Sequence, residues 1–367
     1  MDQTSSSPCG NKLQRYTFQS YLNYSLRFIL TSKMKFKNLY LCKQMVNIFD
    51  ITTTAQFEWA ALDLFHYQLK NNELYAHYVK LLGKDPNQVN SLYEIPFLPI
   101  SFFKSQSVRS FRDTPEMIFY SSGTTGIEPS KHEVKDLELY RQSFRQGFKE
   151  AYGELDQVAL LALLPSYAER SGSSLIYMVD DLLQQSLAPW SGYFLYNHQE
   201  LADRLHALKL RKIPTILIGV SFALLDFTDQ YRVDFPELTV IETGGMKGKR
   251  KEMIREELHH LLKNRFGVSH IHSEYGMTEL LSQAYMHDQG RFAPPAWMRI
   301  LIRDPNDPFH FLNYGQSGGI NVIDLANRYS CAFIATQDLG KVYPNGQFDV
   351  LGRFDDSDIR GCNLLIQ

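Results

Sequence analysis

The chain has 367 residues, with 38 Lys+Arg against 40 Asp+Glu and a formal net charge of −2. That balance excludes a general electrostatic affinity for nucleic acid, although a few backbone amides can still bind phosphate locally. A hydrophobic content of 44% is ample for a large core and excludes global disorder. No apolar run approaches the roughly 20 residues that a membrane span needs. Cys9, Cys42, Cys331 and Cys362 form no C-x-x-C pair and stand near no His cluster, which argues against a disulfide framework or a structural zinc site. Reduced thiols and a cytoplasmic location are the expectation.

Residues 1–33 read as a disordered or non-native extension, with Met34 and Met45 as alternative starts. Its weakly apolar stretch Tyr21–Leu30 is interrupted by Asn23 and Arg27 and has no A-x-A-type cleavage site behind it. Residues 55–83 carry helical periodicity: Phe57, Ala61, Leu64 and Phe65 share one face, and Leu74, Tyr78, Leu81 and Leu82 share another after a break at Asn71-Asn72. Gly83 is a stop signal. Ile95–Ile100 is extended and proline-locked. Met117–Tyr120 reads as a short strand, and a helix follows from about Glu133 to Tyr152. The apolar runs Val158–Leu164 and Thr215–Val220 have the length of buried strands, with a helix over 199–210 between them. Leu238–Ile241 leads into Glu242-Thr243-Gly244-Gly245, and 248–265 reads as a basic helix with apolar Met253, Leu258, Leu261 and Leu262. Strands alternating with helices imply an α/β fold with a largely parallel sheet. From about residue 299, short strands separated by Gly, Asn and Asp turns suggest a β-rich subdomain. The expected division is an α/β core over 34–298, the β-rich part over 299–354, and a hinge with a short tail over 355–367.

Four segments carry chemistry. Ser121-Ser122-Gly123-Thr124-Thr125-Gly126, with Pro129 and Lys131 beyond, offers tight turns, hydroxyls and backbone amides for phosphate oxygens, and a lysine for charge. It lacks the G-K-[ST] ending of nucleotide-hydrolase loops, and a polar strand–helix loop is the plain alternative. In Ser273-Glu274-Tyr275-Gly276-Met277-Thr278-Glu279, Tyr275 offers a flat ring for a nucleobase and Glu279 a carboxylate for magnesium. The alternative is a capped helix start at Thr278 and Glu279. Asp338, within Thr336-Gln337-Asp338-Leu339-Gly340, can accept two bonds from ribose hydroxyls or be a solvated turn residue. Arg353, within Gly352-Arg353-Phe354-Asp355-Asp356, can grip a phosphate bidentately or be a salt-bridged surface turn.

In this order, over roughly residues 95–367, these segments resemble the adenylate-forming superfamily of acyl-CoA synthetases, luciferases and peptide-synthetase adenylation domains. The resemblance implies that superfamily's N-terminal domain fold, with ATP and Mg2+ as cofactors. It implies that Ser121, Ser122, Gly123, Thr124, Thr125, Gly126 and Lys131 bind phosphates. It gives adenine to Gly244, Gly245 and Tyr275, ribose and phosphate to Thr278, Asp338 and Arg353, and magnesium to Glu279. Two departures narrow the match. The loop reads Gly126-Ile127-Glu128-Pro129-Ser130-Lys131 where the superfamily has G-x-P-K. The sequence also stops about a dozen residues after Asp355, where typical members continue for a mobile domain of ~100 residues, so that domain is expected to be truncated.

One branch is similar in both respects: the acyl-protein synthetases of the LuxE type. The similarity rests on Ile95–Lys104, on Leu164-Pro165-Ser166-Tyr167 with Glu169–Leu175, and on Gly361-Cys362-Asn363 near the C-terminus. It implies activation of a long-chain fatty acid to an acyl-adenylate, transfer to the Cys362 thiol, and a fatty acyl reductase as partner. The alternatives are a ligase acylating coenzyme A or a carrier protein directly, and a non-catalytic adenylate-binding subunit. Leu175, Ile176, Tyr177, Met178 and Phe222 can line an acyl tunnel or be ordinary core.

Overall fold

The computed structural model describes residues 47–122, 128–165, 172–244, 250, 253–287 and 290–354. The expected extension over 1–33 and the tail over 355–367 lie outside them. Helix α1 (Thr54–Asn71) starts where the Thr53 hydroxyl accepts from the Gln56 amide and Gln56 Oε1 accepts from the Thr53 amide at 3.0 Å. This reciprocal cap satisfies two otherwise orphaned donors. Asn72 ends α1 by donating to the Gln68 carbonyl and starts α2 (Glu73–Leu81) by accepting from Tyr75 N at 2.9 Å, which is why the helical pattern breaks there. Phe57, Ala61, Leu64 and Phe65 form the buried face, as their spacing predicts. Gln68 is fully buried: its amide nitrogen donates to the carbonyls of Asn327, Arg328 and Ser330, and its oxygen accepts from Ala332 N. One side chain thus satisfies a buried turn.

Strand β1 (Leu98–Pro99) runs parallel to Ile334 and Ala335, and a single turn, α3 (Phe102–Ser105), follows. β2 (Met117–Tyr120) and β3 (Lys131–Val134) form a separate antiparallel hairpin. The helix expected from about Glu133 therefore begins later, as α4 (Leu137–Tyr152). Ser130, just before β3, and His132 and Val134 on it alternate inward, and Asp136 supplies the true cap by accepting from Leu139 N at 3.0 Å.

The main sheet has twelve strands. Five run parallel in the order β5 (Gly192–Tyr193), β4 (Ala159–Leu163), β6 (Thr215–Val220), β7 (Thr239–Thr243) and β8 (His272–Tyr275). The crossovers are α5 (Ser174–Gln185), α6 (His198–Arg211), α7 (Ser221–Gln230) and α8 (Arg255–Phe266). Every residue of β4 and β6 is buried, as continuous apolar runs covered on both faces require. From β8 the sheet continues antiparallel through β9 (Ala284–Met286), β10 (Phe292–Ala293), β14 (Phe348–Arg353), β13 (Phe333–Val342), β12 (Gly318–Asp324) and β11 (Met298–Arg303). The strands after residue 297 thus extend the same sheet. The parallel and antiparallel halves meet at β8, whose carboxyl end enters the Tyr275–Glu279 segment, where open α/β sheets place their ligands.

Candidate active site

The hairpin β2–β3 brings Ser121 against Ser130. Ser121 N donates to the Ser130 carbonyl at 3.0 Å, and Ser130 N donates to Ser121 Oγ at 2.9 Å. The hairpin is anchored by Tyr120 N, which donates to the Gly172 carbonyl at 2.8 Å. Gly172 has φ +82°, a left-handed conformation that favours glycine, and a Cβ there would press on the Tyr120 ring at 3.2 Å. Ser122 is exposed; Gly123, Thr124, Thr125 and Gly126 lie outside the described residues. Lys131 is half-exposed and pairs with Glu128 at 3.6 Å.

The segment after β8 is a turn and not a helix start, so Thr278 and Glu279 cap nothing. Glu279 is only 5% exposed. Burial raises its carboxyl above the ordinary range, while a hydrogen bond from Ser130 pulls it partway back. A buried carboxylate in this condition fits a cation. Among the described residues no group of three His, Cys, Asp or Glu could hold a metal; magnesium held by one or two carboxylates, water and substrate phosphates needs no such group. The Thr278 carbonyl lies 2.7 Å from His132 Nδ1, and the Glu279 carbonyl accepts from Asn327 Nδ2 at 2.7 Å.

Asp338 on β13 sits opposite Arg353 on β14 in the ladder. Its Oδ2 accepts from the Tyr275 hydroxyl at 2.9 Å and its Oδ1 from Arg353 Nε at 3.1 Å. Burial foremost, and then the neighbouring Asp338, drive the Tyr275 phenol far above its usual range, so it stays protonated and donates. Tyr275 is 8% exposed, and its ring packs against Phe348 and Phe292. The Arg353 side chain is 75% exposed, free to turn toward a ligand. Behind them Arg303 donates to Asn321 Oδ1 and to the carbonyls of Ile320 and Thr336, and burial lowers its guanidinium to about 10.

Gly244 takes φ +73° at the end of β7, a left-handed turn suited to glycine, and Gly245 lies outside the described residues. Beneath this turn, buried Glu242 accepts from Ser221 Oγ at 3.0 Å and Ser273 Oγ at 2.6 Å, with His259 Nε2 3.6 Å away. Burial pushes the carboxyl upward, but the bonds from His259 and Ser273 outweigh it and hold the group below its usual range. Glu242 thereby ties β7 to β8. Ser130, His132, Glu242 and Asn327 escaped the sequence reading; the inward alternation Ser130, His132, Val134 was the available signal for the first two.

The structure therefore brings Ser121, Thr278 and Glu279 together through Ser130 and His132, and Tyr275, Asp338 and Arg353 through the β8–β13–β14 junction, whereas Lys131 lies on the other side of the pleat with Glu128. Cys362 lies outside the described residues. Cys331 is no nucleophile: it is wholly buried, and burial pushes its thiol up to about 12. A cavity of about 280 Å³ opens elsewhere, lined by Phe49, Arg145, Phe148, Lys149, Leu155 and Leu182 among others, and none of the candidate residues borders it. Ile176 and Met178 are buried core of α5.

The family model of the acyl-protein synthetase LuxE matches residues 49–367. The chain belongs to the LuxE acyl-protein synthetase family. No curated protein matches this LuxE-family sequence. Among solved structures, an open conformation of 2-hydroxyisobutyryl-CoA ligase in complex with 2-HIB-AMP and CoA superposes with TM-score 0.62 at 14% identity, covering 83% of this chain and 72% of that one. The same ligase in its thioesterification state gives 0.63 at 14%, covering 83% and 70%. ATP-bound MatB from Rhodopseudomonas palustris is matched over about half its length, 49%, with TM-score 0.49 at 17% identity over 66% of this chain. The LuxE-family chain has the fold of the adenylate-forming ligases' large N-terminal domain. Family and fold together support ATP-dependent acyl activation. Among the described residues no helix is long and apolar enough to cross a membrane.

Proposed function

We propose that this protein activates a long-chain fatty acid as its acyl-adenylate and then takes the acyl group onto its own Cys362. The observation that carries this is the convergence of the Ser121–Ser130 hairpin, buried Glu279 and the Tyr275–Asp338–Arg353 group on one end of the sheet in a LuxE-family chain. The loop Ser121–Gly126, with Lys131, binds the β- and γ-phosphates of ATP through hydroxyls and amides. Glu279 holds magnesium, which supplies charge neutralisation for the leaving pyrophosphate. Gly244, Gly245 and Tyr275 flank adenine. Thr278, Asp338 and Arg353 hold ribose and phosphate; to do so, Asp338 exchanges the bond from Arg353 for one from a ribose hydroxyl.

Within that frame the carboxylate oxygen attacks the α-phosphorus, the α–β bridging bond breaks, and pyrophosphate leaves. The Cys362 thiolate then attacks the acyl carbon and AMP leaves with the bonding pair, giving a thioester on the protein. The thioester is delivered to a fatty acyl reductase or another acceptor. Direct acylation of coenzyme A or a carrier protein is the competing outcome.

The experiment is incubation with MgATP and a panel of fatty acids, followed by intact and peptide mass spectrometry. A thioester-labile acyl mass on the Cys362 peptide is expected, and Cys362→Ser is expected to release pyrophosphate yet carry no acyl group. Pyrophosphate release that depends on added coenzyme A, with no adduct, would overturn self-acylation. A chain that releases none with any acid is not an activating enzyme.

A further inference from the structure

Buried on β3, in register with Phe119, His132 is 1% exposed. The Thr278 carbonyl 2.7 Å from Nδ1 can only accept, so Nδ1 carries the proton. Burial keeps the ring neutral, which agrees with that tautomer. Phe103 meets the ring edge-on at 5.8 Å, and the Asn327 side chain stands beside it. Asn327 in turn donates to the carbonyls of Glu279 and Cys331 at 2.7 and 3.0 Å. The carbonyls of Thr278 and Glu279, in a turn outside any strand ladder, are thus gripped by two side chains distant in sequence.

The burial of a histidine here carries a desolvation cost that an aliphatic residue at a strand position would not. Its return is geometric. Two residues earlier, just before the strand, Ser130 is bonded through its backbone to Ser121, and its hydroxyl is close enough to the Glu279 carboxyl to lower its pKa. The segment Ser130–His132 therefore belongs to the β2–β3 hairpin at one residue and holds the carbonyl preceding the candidate metal carboxylate at another. We propose that His132 is a positioning residue: it fixes the Thr278–Glu279 turn to the β2–β3 hairpin, so that the ends of the hairpin at Ser121 and Ser130 and the Glu279 carboxylate are held in one arrangement for MgATP. This rests on the reading of the site as an MgATP site.

The test compares His132→Phe, which fills the space without a donor, with His132→Asn, whose amide nitrogen falls close to the position of Nδ1. Two quantities are read: the Mg2+ concentration that half-saturates ATP binding in the absence of acid, followed by thermal shift, and ATP–pyrophosphate exchange with an acid the wild type accepts. His132→Phe is expected to need about tenfold more Mg2+ and to lose about tenfold in exchange kcat, the loss of one buried hydrogen bond, with KM for the acid unchanged. His132→Asn is expected to recover both to within about threefold. Should the Phe variant not fold, His132→Gln, whose amide reaches toward Nε2 and away from Thr278, is expected to show the same Mg2+ defect. Unchanged Mg2+ demand in the Phe or Gln variant, or equal defects in Asn and Phe, overturns the positioning role. A wild type whose thermal shift with ATP is independent of Mg2+ overturns the MgATP reading, and this inference with it.

Discussion

His132 also couples stability to pH. Its imidazole falls from 6.5 to about 4 on folding, chiefly through burial. The unfolded chain therefore takes up a proton first as pH drops, so this contribution is complete above about pH 6.5 and is lost as pH falls toward about 4. The difference is worth about 3 kcal/mol across that window. Urea denaturation at pH 7 and 4.5 is expected to show the wild type losing about 2–3 kcal/mol more than His132→Asn on acidification; equal losses would mean that the ring is hydrated in the folded state. The same residue marks the limit of the sequence reading. Tyr275, Glu279, Asp338 and Arg353 were visible because each sits in a compact motif with a recognisable spacing. Ser130, His132 and Asn327 were not, because their partners are 146 residues away in the case of His132 and Thr278 and 48 for Asn327 and Glu279. Lys131, singled out between two buried neighbours, points the other way along the pleat and pairs with Glu128.

At the scale of elements, the strands with continuous apolar runs, β4 and β6, lie where their composition put them, because a strand buried on both faces has no choice of register. The hairpin β2–β3 was hidden since Lys131–Val134 is short and polar, and only pairing with Met117–Tyr120 makes it a strand. The β13–β14 pair shows a sharper constraint. Its ladder shifts between Leu339 and Gly340, two residues beyond Asp338, and a Cβ on Gly340 would stand 2.3 Å from the Asp349 carbonyl oxygen. That obstacle is backbone and cannot swing aside. Gly340→Ala is expected to cost about 2–3 kcal/mol in thermal or urea unfolding, as overpacking does. It should also spread Asp338 from Arg353 and weaken nucleotide binding more than a destabilising substitution away from the ladder, such as the removal of the α4 cap in Asp136→Ala. Equal nucleotide affinity in the two variants would detach the bulge from the site.

Over the whole molecule, the expectation of an α/β core and a β-rich part corresponds to a change of strand direction inside one sheet. The chain pattern registers the switch from long crossovers to short turns, but not that β10 pairs with β14 and carries the sheet across. A shared ladder couples the halves, so residues 48–354 are expected to unfold in one step. Trp190 stands beside the parallel edge under Arg204 and Arg211, while Trp297 is buried on the antiparallel side, donating to Ser143 and Ser282. Single-tryptophan variants retaining one or the other, with the rest changed to Phe, are expected to report the same urea midpoint. Separate midpoints would make the change of strand direction a boundary between independently folding parts.

The grip of Gln68 on the carbonyls of Asn327, Arg328 and Ser330 has a consequence for the making of the protein. Its partners follow it by 259 to 264 residues. At synthesis rates of roughly 5–20 residues per second, α1 waits on the order of tens of seconds on the ribosome before that turn exists. During that interval the apolar face of Phe57, Leu64 and Phe65 lacks the strand on which it closes, since Phe65 meets Phe333 only in the finished fold. Asn327 and Asp338 emerge in the same late stretch, so the nascent chain keeps that apolar surface uncovered until the moment at which it can first assemble its candidate site.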